Sequence, residues 1–424
     1  VESPFGKRNG LAYGFLGLPL AFVALPLYVI LPNYYAKTFG VPLATLGVIL
    51  LGARLFDAFI DPLLGRLSDR LFARSAASVL RVGLLAAVLL ALGFALLFFP
   101  QVTTPGALVV WISAMLMVTY AAYSFLSVSH QSWGAMLGGN EAERSRIVAW
   151  RESLGLVGVV LASSTPVALG LPATTVVFFV ALAIGWLAWT RAVPPATKAS
   201  PAAQTGAIWV PFKHSNFQRL LLVFMLNGIA SAVPATLVLF FIQDRLQVPA
   251  SMEPLFLGSY FLTAALSIPC WLAIVKRIGL AKAWLCGMAL AVGVFAWATQ
   301  VGAGQSTAFL VITSLSGVAL GTDLALPGAL LAGVIQGNGD SGKAEGAYFG
   351  WWNFAIKLNL ALAAGLALPL LGLFGYSPGA RSPEALDALV TAYCVLPCLL
   401  KLAAGGALYF LIIQPSSEHL KANA

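Results

Sequence analysis

The amino-acid sequence predicts an all-α membrane protein of about twelve transmembrane helices in two six-helix bundles. Three observations predict it. First, only 9% of the 424 residues are charged, 60% are hydrophobic, and the mean hydropathy is +0.90. A soluble domain usually carries about 25% charged residues. Polar groups therefore cannot cover the surface of this chain, and lipid must be the solvent for much of it. Second, the apolar residues come in long blocks. A bilayer core is roughly 30 Å thick, so a spanning helix needs about 20 mostly apolar residues. Inside lipid the backbone must bond to itself, which leaves helices or closed barrels. A barrel would alternate polar and apolar positions; runs such as 82–99 and 360–373 do not. Third, one long polar interval at 193–216, rich in Ala, Pro, Thr and Lys, divides the blocks six and six.

The pattern places helices at 11–36, 42–66, 77–99, 106–136, 145–170, 172–192, 217–243, 252–275, 281–301, 306–335, 345–373 and 385–413. The domains follow: an N-terminal bundle at 1–192, a cytoplasmic linker at 193–216 and a C-terminal bundle at 217–424. The formal charge of +9 sits in short loops, so it reads as a topology signal rather than as nucleic-acid binding. With a cytoplasmic N-terminus, seventeen of the 24 Lys and Arg fall inside and only Lys37, Arg245 and Arg381 outside. The remaining four, Arg54, Arg151, Lys357 and Lys401, lie within spans or at their edges. The positive-inside rule therefore expects both termini in the cytoplasm and a multi-pass place in the plasma membrane, the inner membrane of a bacterium. No cleavable signal peptide is evident. The four cysteines lie in apolar stretches and read as buried, inert thiols. Cys394 and Cys398 are i,i+4, with no His nearby to complete a zinc site.

A charge at mid-bilayer costs several kcal/mol, so each one is a functional candidate. The second helix carries Arg54, Asp57 and Asp61 at i, i+3 and i+7, on one face. Two carboxylates one turn apart suit a monovalent cation, or raise one another's proton affinity through repulsion and desolvation. Arg54 would neutralise Asp57 and leave Asp61 to do that work. The bland reading of the same stripe is an Arg–Asp pair that locks helices together. Pro62 weakens the helix ladder beside Asp61. The fourth helix ends in an unusually polar stretch with Ser129, His130 and Trp133. His130 would relay protons or bond solute, or else make an ordinary interhelical bond. Trp133 would stack on a solute ring or pack at an interface. In the fifth helix, Arg151 and Glu152 are adjacent and are expected to point apart. In the eleventh, Trp351, Trp352, Asn353 and Lys357 form a polar-aromatic patch, with Asn353 and Lys357 on one face. Asp323, with Asp57 and Asp61, is the expected carboxylate partner of Lys357. Asn227 and Lys401 are further polar points.

An enzyme is the rival class. No metal-ligand cluster, Walker loop or G-x-S-x-G occurs, and the Gly-rich stretch 337–342 follows no strand. No catalytic residue, metal or cofactor is expected, and the absence of an ATP motif argues against a primary pump. The loop after the second helix, Gly65-Arg66-Leu67-Ser68-Asp69-Arg70, resembles the G-x-x-x-D-R signature of the major facilitator superfamily. That resemblance implies two halves rocking around a midplane site, with Asp69 and Arg70 tying them together on the cytoplasmic side as a gate. A monomeric secondary active transporter of a small solute is the expected function.

Four further segments carry a finer resemblance. Arg54 to Pro62 resembles the R-x-x-D-A-x-x-D-P segment of the glycoside–pentoside–hexuronide:cation symporters, the melibiose permease-like family. Asp323 to Pro327, Glu345 to Asn353 with Lys357, and Trp133 to Leu137 with Glu143, Arg144 and Arg151 resemble three more of its signatures. The resemblance implies symport with H⁺, Na⁺ or Li⁺, Asp57 and Asp61 at the cation site, and Trp133, Arg151 and Lys357 lining a sugar cavity. Three departures matter. Ile60 replaces an asparagine of the family's type member, Ala21 stands at its first-helix aspartate, and Ser129 at its fourth-helix aspartate. Lost oxygen ligands favour H⁺ over Na⁺. Lost acidic acceptors favour a neutral or anionic solute, a sugar, glycoside or uronide. A proton-driven exporter or a lysolipid transporter of the same fold is the alternative.

Overall fold

The computed structural model describes residues 5–195, 208–377 and 379–415, and among them every regular element is helical. The middle of the expected linker, and Lys198 and Lys421 of the charge reckoning, lie outside the described residues. The first apolar block forms α1 in three pieces, Lys7–Gly14, Gly17–Leu25 and Leu31–Phe39, with a widened turn at Pro26–Ile30. Pro26 has no N–H to give to the ladder, which is the physical reason for a wide turn there. Then follow α2 (Leu43–Arg74), α3 (Ala76–Phe98), α4 (Pro105–Met136), α5 (Glu141–Pro166) and α6 (Ala168–Thr190). After the linker come α7 (Ser215–Arg245), α8 (Glu253–Ile278), α9 (Leu280–Ala298), α10 (Ser306–Gly337), α11 (Glu345–Leu373) and α12 (Pro383–Ile413). Ten of these helices are long and apolar enough to cross a membrane, and α2 and α11, of 32 and 29 residues, also have the length. The chain is a multi-pass membrane protein.

The ends show what hydropathy misses. The second helix was expected to stop at residue 66, yet α2 runs two turns further, to Arg74. Its charged residues Arg66, Asp69, Arg70 and Arg74 are polar without being helix breakers, so the G-x-x-x-D-R stretch is helix and not loop. Ser75 then ends α2 and caps α3, its Oγ accepting the N–H of Ser78 at 3.1 Å. Likewise α5 starts at Glu141, four residues early, because Asn140 and Glu143 form a capping box. The kink that sets α6 off from α5 falls at Gly170, in the first turn of α6, whose φ of 80° only glycine adopts readily.

The described residues divide into two units that differ from the expected halves. Unit one is Val1–Lys213 with Ala332–Phe354; unit two is His214–Leu331 with Ala355–Ala424. The end of α10 and the start of α11 thus group with the first unit. Each unit has its own apolar core. In the first, Phe178 packs between Phe22 and Phe94, with ring centroids 5.7 and 4.6 Å away. In the second, Phe241 lies 5.5 Å from Phe309 and 4.2 Å from Tyr393. Lipid gives no hydrophobic drive between helices, so close backbone approach carries the association. A Cβ on Gly17 would sit 2.6 Å from the Arg151 carbonyl oxygen, and one on Gly158 only 2.1 Å from that of Leu18, which is how α1 and α5 nest.

Candidate functional site

On α2 the usual order of a soluble helix is inverted. Leu51, Leu55, Phe59 and Leu63 are exposed, while Asp57 and Asp61 are fully buried on the opposite side. The period of 3.6 residues puts these two sets about half a turn apart. The carboxylates therefore face the interior of the first unit. Ser124 of α4 donates its hydroxyl to Asp57 at 2.7 Å. Tyr123 lies within electrostatic range of Asp57, Asp61, Arg151 and Glu152. Tyr28 and Tyr120, with ring centroids 6.0 Å apart, lie within range of Asp57 and Arg54. The Arg54 guanidinium sits over the Tyr28 ring, 4.6 Å from its centroid, as a cation–π pair.

Arg54, Asp57, Asp61 and Arg151 are thus gathered into one neighbourhood, with Tyr28, Tyr120, Tyr123 and Ser124 between them. Sequence reasoning passed over those tyrosines. Their signal was present: a phenol inside a span needs a polar partner, and three occur near the same depth of α1 and α4.

Two expected pairings are corrected. Arg151 and Glu152 do not point apart: the Arg151 Nε donates to Glu152 Oε1 at 3.0 Å, and Nη2 bonds the same oxygen. Both side chains are long enough to curl back across one residue, and burial favours the pair over two separate charges. Nor does Asp323 serve as the partner of Lys357. It pairs with Lys401 at 2.7 Å within the second unit. Glu152 thus balances Arg151, and Asp323 is taken by Lys401.

The polar end of α4 is packed inside the first unit. His130 is fully buried against Tyr13, its Nε2 donating to the Tyr13 carbonyl at 2.7 Å, with ring centroids 4.4 Å apart. Tyr13 returns a bond from its hydroxyl to the His130 carbonyl at 3.1 Å. Ser129 donates to Ser68 of α2 at 3.0 Å. The Trp133 indole N–H reaches the Val193 carbonyl at 2.9 Å, with its ring against Phe72 and Trp189. Ser129 and Trp133 are satisfied by protein, while His130 is bonded through Nε2 and its buried Nδ1 meets no hydrogen-bond partner among the described residues; the three side chains join α4 to α1, α2 and the end of α6. Trp352 and Asn353 are buried in the first unit, and Lys357 is half-buried in the second. Trp351 anchors the chain that leaves the linker: its N–H bonds the Ile208 carbonyl at 2.8 Å, and Trp209 and Phe212 pack on its ring.

At the charged end of α2, Asp69 is buried and Arg70 is exposed. The Asp69 carboxylate accepts the first free N–H groups of α11, those of Gly346 at 2.6 Å and Ala347 at 2.9 Å. A helix N-terminus has such donors to offer and favours negative charge. The approach is close because of glycine. A Cβ on Gly65 would lie 2.0 Å from the Gly346 carbonyl oxygen, and one on Gly350 2.7 Å from that of Asp61. Gly346 and Gly350 are four apart on one face of α11, the small-xxx-small spacing of tight membrane crossings. Next to this crossing, Arg144 bonds Gln336 at 2.7 Å.

Comparison with known proteins agrees with this architecture. The family model described as MFS/sugar transport protein matches residues 10–414. A Bacillus subtilis (strain 168) protein described as the uncharacterized symporter YjmB is 24% identical over 455 residues, covering 99% of this chain and 95% of that one. Among solved structures, a bacterial homologue of the iron transporter ferroportin in an outward-facing state superposes with TM-score 0.70 at 16% identity, over 97% of this chain and 99% of that one. The fucose:proton symporter of E. coli superposes with TM-score 0.69 at 15% identity, over 95% and 98%.

Proposed function

The chain belongs to the MFS/sugar transport protein family, and from that premise we propose that it carries a small polyhydroxylated solute by symport with a cation, H⁺ in preference to Na⁺. It is a secondary transporter of the major facilitator superfamily and not an enzyme. The observation that carries the coupling reading is the pair of buried carboxylates, Asp57 and Asp61, one turn apart on the interior face of α2. Carboxylates placed there at several kcal/mol have a use that Leu does not supply. Near Asp57, besides Arg54, stand the hydroxyl of Ser124, which bonds it, and the phenols of Tyr28 and Tyr120 within electrostatic range. Hydroxyls pass and accept protons, whereas a Na⁺ shell wants several oxygens at fixed distance, and Ile60 contributes none. That a proton symporter of a sugar shares the fold accords with this reading.

The solute is a sugar, glycoside or uronide, and Arg151 and Lys357 are its charged contacts. Arg151 is already balanced by Glu152, so a neutral sugar meets a paired guanidinium and a uronide competes for it. Asp69 acts as the gate: its bonds to Gly346 and Ala347 break and re-form in each transport cycle. The site of action is the plasma membrane.

Active uptake and counterflow in proteoliposomes test this. With sugars and uronides offered with and without Na⁺ at two pH values, uptake should follow the pH gradient. Asp61→Asn should lose active uptake by at least about tenfold and keep counterflow, which needs no net cation movement. Undiminished gradient-driven uptake by that variant would overturn the coupling assignment.

A further inference from the structure

The second unit holds a separate ionisable centre, remote in sequence from the α2 carboxylates. Asp323 of α10 takes four donors. Its Oδ1 accepts Asn227 Nδ2 at 2.9 Å and the Trp284 indole N–H at 2.8 Å. Its Oδ2 accepts Ser231 at 3.2 Å and the Lys401 ammonium at 2.7 Å. Lys401 also donates to Asn227 Oδ1 at 2.7 Å. Four helices, α7, α9, α10 and α12, meet at this one network.

Asp323 and Lys401 also line a cavity of about 330 Å³ whose walls come from α7, α8, α9, α10 and α12. The rest of the wall is chiefly apolar and aromatic, with Val238, Phe256, Phe295, Ile312 and Tyr393 on it. Away from the ion pair, hydroxyls enter at Tyr260 and Ser316. A volume of this size with few convergent polar groups is what small-molecule sites look like.

The arithmetic of the polar end defines the ligand. The carboxylate has four acceptor positions, and all four are used. The ammonium has three N–H bonds, and two are used. One donor is left over, and the pair has no net charge. We propose that this cavity is a binding site for a small uncharged amphiphile, an aryl or branched-alkyl body ending in a hydroxyl or carbonyl oxygen that accepts from Lys401. An anion would bring an uncompensated charge into an apolar chamber. A plain hydrocarbon would fill the walls and leave the donor unmet. The site does not depend on the symport reading, because none of its residues belongs to the α2 cluster.

Cys398, which the sequence suggests is buried and inert, is only half-buried and lines the same cavity, so it provides the readout. With Cys270, Cys286 and Cys394 replaced by Ser, N-ethylmaleimide should alkylate Cys398 in the membrane-reconstituted protein, and 2-naphthol should slow that reaction saturably. Naphthalene should need about tenfold more ligand for equal protection, and 2-naphthoate should not protect. In the paired variant Asp323→Asn with Lys401→Met, the 2-naphthol requirement should rise to that of naphthalene. Equal protection by 2-naphthol and naphthalene, protection by the carboxylate, or a Cys398 that does not react would each overturn the proposal. The ligand series on the single-cysteine protein decides the matter even if the paired variant fails to fold.

Discussion

Asp57 shows how far a single residue can be read. Its charge inside an apolar block marks it as functional, and the 3.6-residue period places it with Asp61 on one face. What period alone does not supply is the partner on another helix, Ser124, whose hydroxyl bonds it at 2.7 Å. A hydrogen bond to a charged group contributes about 1.5–3 kcal/mol. Ser124→Ala should therefore lower gradient-driven uptake by about tenfold or more, and Ser124→Thr, which keeps the hydroxyl, should restore most of it. Equal uptake by the Ala and Thr variants would show that the bond has no part in coupling. Lys401 makes a complementary case. Removing one partner of a buried pair strands the other, at about 3–5 kcal/mol. Lys401→Met should thus lower the thermal stability of the solubilised protein sharply, and adding Asp323→Asn should recover much of the loss. A melting profile of Lys401→Met that matches the parent would mean Asp323 is content without its ammonium.

Among the elements, the crossing of α2 with the start of α11 is the most constrained. Gly65, Gly346 and Gly350 let the backbones touch, and Asp69 accepts two of the N–H groups that helix geometry leaves unpaired. A side chain has nowhere to go: a Cβ on Gly346 already lies 2.1 Å from the Gly65 carbonyl oxygen. Gly346→Leu should destabilise by about 1–3 kcal/mol or more and cut transport, whereas Gly372→Leu on the same helix, where a Cβ meets open space, should do neither. Transport by Gly346→Leu at the parent rate would show that this contact need not form. The glycines were visible in the sequence as part of two motifs. Their use as a contact was not, because nothing local says which helix comes that close.

For the whole molecule, hydropathy and the distribution of Lys and Arg make one statement: twelve helices with both ends in the cytoplasm. The helices are present; the orientation is open to direct measurement. In a cysteine-free background, Lys7→Cys should be shielded from an impermeant maleimide added outside intact cells, and Lys37→Cys, across the first helix, should be labelled. The reverse pattern would invert the protein and every side assignment with it. The boundary between units was less legible. Chain order suggests a cut in the linker alone, yet residues 332–354 group with the first unit. Sequence distance is a poor guide here, since a helix end packs with whatever its side chains and N–H groups fit.

Fold class, helix number and the segments that bear ionisable residues were determined by the sequence by itself, because each rests on a one-dimensional quantity: the length of an apolar run, the spacing along a helix, the rarity of charge. Partners were decided only by the tertiary structure. Arg151 turned to its neighbour Glu152, Asp323 to Lys401 and not Lys357, His130 to the backbone of Tyr13, and Asp69 to the start of α11. The reason is physical. In a medium without water a buried polar group is costly unless it finds another, and which one it finds depends on helix packing at the scale of a hydrogen bond, a distance that no pattern along the chain encodes.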